Sequence, residues 1–401
     1  MSGRSVEVAV YYFPNFHSDP RNRALHGENW TEWELVRRAE PRFDGHMLPN
    51  LPAWGETDEA DPRQMEQKIG AAADHGIDTF IFDWYWYDDG PFLERGLDSG
   101  FMNSRNNDRL KFALMWANHD WIDIHPMKAC HNALENADVL HRGAVTPNTF
   151  AAIIDVCIER YFIHPSYWLI DGCPYFSVYE LNKLIEGLGS VERTREFLDL
   201  FRQRVKAAGF KDLHLNAIVW NNPILPGETA PTDIKSLLDF LGFDSVNSYV
   251  WIHHHATDDF PKVEYNDICD AYFDYWDEAA SKFTQPYYPN VTMGWDASPR
   301  TVQSDAYENR GYPFMYTIAN NTPKNFRRAL ERVKAKLESN SMPAPFLTIN
   351  AWNEWTEGSY LEPDLRNGMK YLEAVRDVFS DKGLEGFGRS AKGEAATFGV
   401  K

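Results

Sequence analysis

The chain has 401 residues, with 40 Lys and Arg against 59 Asp and Glu, a formal net charge of -19 and 43% hydrophobic residues. A surface this acidic repels phosphate backbones and no basic run offsets it, which argues against a nucleic-acid partner and disfavours a strongly anionic polysaccharide, although a local basic pocket could still accept one. No apolar run reaches the length of a membrane span, and the N-terminus Met1-Ser-Gly-Arg-Ser-Val-Glu7 lacks the apolar core of a secretory signal, so a cytoplasmic protein is expected.

Val6 to Pro14 reads as a first strand, aliphatic and then aromatic at its C-terminal end. His17 to Asp61 follows, roughly 45 residues with little helical pattern; loops of that length are usually functional or disordered, and the tryptophans and prolines here argue for order. Asp61-Pro62 opens a helix as N-cap and first-turn proline, and Gly76 closes it. Asp78 to Trp86 is a second strand running into aromatics, and Lys111 to Asn118 a third. The unit then recurs. Helices are expected from Thr146-Pro147 to about Arg160, Ser190 to Gly209, Thr232 to Leu241, Asp267 to Phe283, Thr322-Pro323 to about Leu337, and Met369 to Phe379. Strands are expected over Pro174 to Tyr179, Leu213 to Trp220, Asp244 to Trp251, Asn290 to Trp295 and Pro345 to Ile349.

Strands alternating with helices throughout imply parallel βαβ units. A doubly wound open sheet concentrates its chemistry at one switch point, usually with a glycine-rich first turn. The first turn here, Tyr11-Tyr-Phe-Pro-Asn15, has no glycine. Most strands instead end in aromatic or carboxamide residues, as expected of a (β/α)8 TIM barrel, whose reactive face gathers the strand C-termini. Residues 1–388 read as one catalytic domain with an extended loop after the first strand, and 389–401 as a flexible tail. Oligomeric state is not legible.

The aromatic content, 14 Trp, 19 Tyr and 25 Phe, lies largely beside Asn, Asp and Glu. Rings with polar rims suit sugars, whose C–H faces stack while their hydroxyls need hydrogen-bond partners. Candidates to line such a groove are Tyr12, Trp33, Asp83, Trp86, Trp116, Asn118, Tyr249, Trp251, Trp295, Trp352 and Asn353, each of which could equally be packing. Three consecutive histidines, His253 to His255, cannot all point one way and make a poor metal cage; one of them bonding a sugar hydroxyl is the better reading. Cys130, Cys157, Cys173 and Cys269 are scattered and read as reduced buried thiols. No P-loop, Gly-x-Gly-x-x-Gly, Gly-x-Ser-x-Gly or transferase Asp-x-Asp occurs, so no cofactor and no metal is expected.

The chemistry concentrates after the last strand, in Trp352-Asn-Glu-Trp-Thr-Glu-Gly358. If that strand ends in a helical turn, Glu354 and Glu357 share one face. Trp352 and Trp355 would limit their access to water, and burial plus mutual charge would keep one acid protonated while the other ionises. Glycosidic bond cleavage uses such a pair, although two solvated acids beside packing tryptophans would look the same.

Asn353 to Gly358 resembles the Asn-Glu-Trp-x-Glu-Gly motif of glycoside hydrolase family 99, the endo-α-mannosidases. The wider pattern is similar to bacterial family 99-like proteins associated with polysaccharide biosynthesis: Tyr11 to His17, Thr31 to Trp33, Phe43 to His46, Trp116 to Asn118, and Trp352 to Asp364. The resemblance implies a (β/α)8 barrel and metal-independent, retaining hydrolysis of an α-linked, mannoside-like glycan. In that scheme Glu357 is acid/base, and Glu354 helps the substrate's 2-hydroxyl form a 1,2-anhydro sugar. The partner is then an oligosaccharide or polysaccharide. A glycosyltransferase or transglycosylase of surface-polysaccharide assembly, or a non-catalytic carbohydrate-binding barrel, are the alternatives.

Overall fold

The computed structural model describes residues 6–129, 138–225, 228–339 and 345–380. Cys130 and the expected tail lie outside them.

Eight short strands form the barrel wall: β1 Glu7–Tyr12, β2 Thr79–Tyr87, β3 Lys111–Trp116, β4 Cys173–Val178, β5 His214–Ile218, β6 Ser245–Asn247, β7 in two pieces Tyr287–Tyr288 and Asn290–Thr292, and β8 Phe346–Asn350. Every neighbouring pair is parallel, and β1 closes on β8 with Val8 opposite Leu347. The fold is therefore a (β/α)8 TIM barrel. Its strands are buried on both faces, as parallel strands roofed by helices must be.

Two expected strands shift. The sixth is cut to Ser245–Asn247, and a 3-10 turn, Trp251–His254, takes its end. The seventh begins earlier and is split at Pro289, which has no N–H for the ladder, although its carbonyl still accepts from Thr348 N at 2.9 Å.

The helices follow their capping signals. Asp61 accepts from Arg63 N at the start of Pro62–Asp74, and Ser190 from Arg193 N at the start of Val191–Ala207. The helix capped by Thr146 is regular to Val156 and then widens into looser turns over Cys157–Phe162. The helix Leu181–Leu188, capped by Glu180 and ended by left-handed Gly189, has no counterpart among the expected elements. The segment after β1 is ordered but not a plain loop, for it holds two short helices, Pro20–His26 and Trp33–Arg38. Among the described residues no helix is long and apolar enough to cross a membrane. Cys157, Cys173 and Cys269 are free thiols.

Candidate active site

Beyond β8 the chain forms a tight hairpin, Asn353–Glu354 against Ser359–Tyr360, with a 3-10 turn over Trp355–Glu357 between them. In a 3-10 turn residues i and i+3 eclipse, which brings Glu354 and Glu357 to the same side. Gly358 closes the turn at φ +63°, where a Cβ would stand 2.7 Å from Asp296 Cβ. Both glutamates are buried, and both line a cleft at the C-terminal end of the barrel.

The tryptophans of the motif face the other way. Trp352 Nε1 and Trp355 Nε1 donate to the two oxygens of Glu362, at 2.9 and 2.8 Å, and buried Lys68 Nζ sits 2.8 Å from the same carboxylate. An indole N–H taken out of water needs an acceptor, and Glu362 supplies it beneath the turn rather than in the cleft. The acids are instead shielded by Phe13, Tyr85, Trp121, Tyr179, Tyr249 and Tyr312.

Arg300, just beyond β7, organises the charge. Its Nη1 lies 2.5 Å from Glu357 Oε1, and its Nη2 lies 3.2 Å from Glu354 Oε2 and 2.9 Å from Glu32 Oε1. The Tyr312 hydroxyl accepts from Arg300 Nη1 at 2.5 Å and donates to Glu357 at 3.1 Å. Thr356 donates its hydroxyl to Glu32, and the ring of Phe13 lies 5.4 Å from the guanidinium carbon. Three buried carboxyls thus share one cation, and they cannot all ionise.

Burial raises Glu354 well above the usual carboxylate range, the charge of Glu357 adds to this, and Arg300 opposes it. Burial raises Glu357 less far, because Arg300 and the Tyr312 hydroxyl favour its anion. Burial would also raise Glu32, but Arg300 and its other partners bring it below the ordinary value. Of the three, Glu354 is therefore the carboxyl that holds a proton most strongly and Glu32 the one that ionises most readily.

Asp83 and Tyr249 join this cluster from β2 and the segment after β6. The Tyr249 hydroxyl lies 2.9 Å from Asp83 Oδ2 and 3.2 Å from Glu354 Oε1. Of the residues read from sequence, Asp83, Tyr249, Glu354 and Glu357 meet in the cleft. The others stand outside its lining.

Several of them join strand ends. Asn353 exchanges hydrogen bonds with the Phe13 backbone at 2.7 and 2.8 Å, and Asn118 does the same with Glu180 at 2.7 and 2.8 Å. Trp116 Nε1 donates to Trp86 O at 3.2 Å, and Trp251 Nε1 to Asn290 O at 2.9 Å. Tyr12 donates to Glu59 at 3.0 Å, and Trp33 donates to Thr57 O at 2.9 Å. Trp295 lines a separate pocket with His46 and Tyr360.

The three histidines diverge. His253 Nε2 is 3.2 Å from Glu228 Oε2, His254 stacks on Tyr275, and the carbonyl of His255 accepts from Tyr316; none lines the cleft. Among the described residues no group of three His, Cys, Asp or Glu could hold a metal ion.

Sequence reasoning missed Arg300, Glu32 and Tyr312. Glu32 stood in view, in Thr31-Glu-Trp33, where the indole drew attention away from the acid. Arg300 and Tyr312 carried no signal, since each is a single residue in a loop whose role exists only once the barrel closes.

The profile of the family described as "Glycosyltransferase WbsX" matches residues 8–375. Two proteins called WxcX, from Xanthomonas campestris pv. campestris strains B100 and ATCC 33913, are 29% and 28% identical over 93% of this chain. The chain spans about half the length of these relatives, 49% of each. Among solved structures, the GH99 endo-alpha-mannosidase from Bacteroides thetaiotaomicron superposes with a TM-score of 0.56 at 13% identity, covering 92% of this chain and 95% of that one. A "Glycoside hydrolase-like protein" superposes with a TM-score of 0.59 at 16% identity, covering 94% and 95%. At these identities the likeness is one of fold.

Proposed function

We propose that this chain, which belongs to the family described as Glycosyltransferase WbsX, is a retaining glycoside hydrolase acting on an α-linked, mannoside-like glycan. The observation that carries the reading is the pair Glu354 and Glu357, buried together on one side of an aromatic cleft and bridged by the guanidinium of Arg300. The bridge lets the pair hold a single proton, which is the condition for one acid and one base at neutral pH.

In the reaction Glu357 gives its proton to the glycosidic oxygen as the C1–O bond breaks. The substrate's O2 attacks C1 while Glu354 takes the O2 proton, forming a 1,2-anhydro sugar. Water then adds to C1, losing its proton to Glu357, and the C1–O2 bond opens as Glu354 returns the proton to O2. Two inversions give retention, and no enzyme nucleophile is needed on the opposite face of the ring. Burial and the charge of Glu357 favour the proton on Glu354 before substrate arrives. Arg300 already touches both carboxyls, so a shift of its hydrogen bonding from Glu357 towards Glu354 accompanies the transfer of that proton to Glu357.

A second reading is favoured by the family's own description. With a sugar hydroxyl in place of water, or a nucleotide sugar as donor, the same pair would serve transfer in polysaccharide assembly. The deciding experiment incubates wild type and Glu357→Gln with α-mannans, α-glucans and bacterial O-antigens, without nucleotide sugars or metal, reading reducing ends and masses. Fragments from the wild type alone support hydrolysis. Silence from both, with turnover of a nucleotide sugar, supports the transferase.

A further inference from the structure

Asp83 stands in the cleft wall at the C-terminal half of β2, with its carboxyl buried. Its Oδ2 accepts from the Tyr249 hydroxyl at 2.9 Å, but its Oδ1 is enclosed and has no hydrogen-bond partner among the described residues. A buried polar atom left unpaired is costly, and native folds rarely keep one without a reason.

The other carboxyls of the cleft differ. Glu32, Glu354 and Glu357 each pair with Arg300, whereas no cation among the described residues pairs with Asp83. The titratable groups around it are Tyr11 from β1, Tyr85 on its own strand, Tyr249 after β6, and Glu354 and Glu357 after β8. All are neutral or acidic. Burial above all, and then the charge of Glu357, push the Asp83 carboxyl well above the usual range, outweighing the Tyr249 hydrogen bond.

We propose that Asp83 is a specificity-determining residue, which reads one hydroxyl of the bound sugar through Oδ1. It does so as a neutral acid, accepting from Tyr249 on Oδ2 and donating its own O–H to the sugar oxygen. Carboxylic acids held neutral by an apolar site can act as donors in this way. The same phenol reaches both Asp83 and Glu354, so the sugar being read is the one at the bond to be cut. The inference rests on the glycan reading above and adds a requirement to it: that sugar carries a hydroxyl at the position facing β2, and a deoxy sugar there is rejected.

The test measures binding of α-mannooligosaccharides, and of monodeoxy derivatives at each hydroxyl, to Asp83→Asn and Asp83→Ala. Binding is read by calorimetry in the Glu357→Gln background and turnover in the otherwise wild-type protein, with near-UV circular dichroism as the folding control. Asparagine keeps the shape and donates from Nδ2, so it is expected to recover most of the affinity and turnover that alanine loses. Alanine is expected to weaken binding about 10–100-fold. One monodeoxy ligand should bind Asp83 itself correspondingly weakly and lose nothing further with alanine.

Asp83→Asn that binds but has lost turnover would overturn the proposal, because the carboxylate would then be needed in the chemistry. Asp83→Ala that binds as tightly as Asp83 would overturn it too, while leaving the glycan reading in place. Protein that neither binds nor cleaves any glycan would overturn both.

Discussion

The guanidinium of Arg300 lies 2.5 Å from the carboxylate of Glu357, and this contact favours the Glu357 anion. Arg300 is held from beneath by Glu32 and the ring of Phe13, so it is a fixed charge rather than a surface arginine that solvent can screen.

Replacing Arg300 by Met removes the cation that favours both anions. The first ionisation of the Glu354–Glu357 pair then moves up, and the acidic limb of the pH–rate profile moves to higher pH. Loss of a preorganised charge should also lower kcat by about 10²–10³-fold. Profiles of both proteins check this, and a limb that stays in place would show that Arg300 does not govern the pair.

Gly358→Ala places a methyl against Asp296, whose backbone N–H holds the Glu357 carbonyl at 2.5 Å. The left-handed backbone alone costs about 1–2 kcal/mol for alanine. The steric push falls on Glu357 itself, and a shift of order 1 Å in a catalytic acid costs about 10²-fold in rate. A kcat loss larger than the loss in thermal stability predicts is the expected pattern.

Lys68→Met leaves Glu362 buried with two indole donors and no cation. Breaking a buried pair in this way costs about 3–5 kcal/mol, to be read as a fall in the urea midpoint. Lys68 does not line the cleft, so the pH limbs of the folded variant should stay where they are.

Glu180, the cap of Leu181–Leu188, is pushed up to about 8, chiefly by burial. Between the ordinary glutamate value and about 8 the native state keeps a proton that the unfolded chain has released, so stability falls as pH rises through that window. Glu180→Gln has no proton to release. Its melting temperature should decline less than wild type between pH 5 and 8, and parallel curves for the two proteins would count against the shift.

Several of these features could be read from residue order alone. The runs Val6 to Pro14, Asp78 to Trp86 and Lys111 to Asn118 are too apolar for half-exposed strands, and proline-capped helices come after the first and the third; the barrel was legible from the alternation that continues along the chain. The glutamate pair was legible because its spacing is local, and a short turn converts three residues of separation into one face.

Tertiary structure alone decided which side chains meet in the cleft. Four of the indoles near strand ends turn towards an acceptor for their N–H. For Trp352 and Trp355 that acceptor is Glu362, for Trp251 it is the carbonyl of Asn290, and for Trp116 the carbonyl of Trp86. Such partners belong to other strands or to a later turn, and no periodicity in the chain records them. Arg300 meets Glu32 across 268 positions of sequence. Only closure of the barrel brings that cation to the acids, and with it the charge that opposes the effect of burial on Glu354 and Glu357.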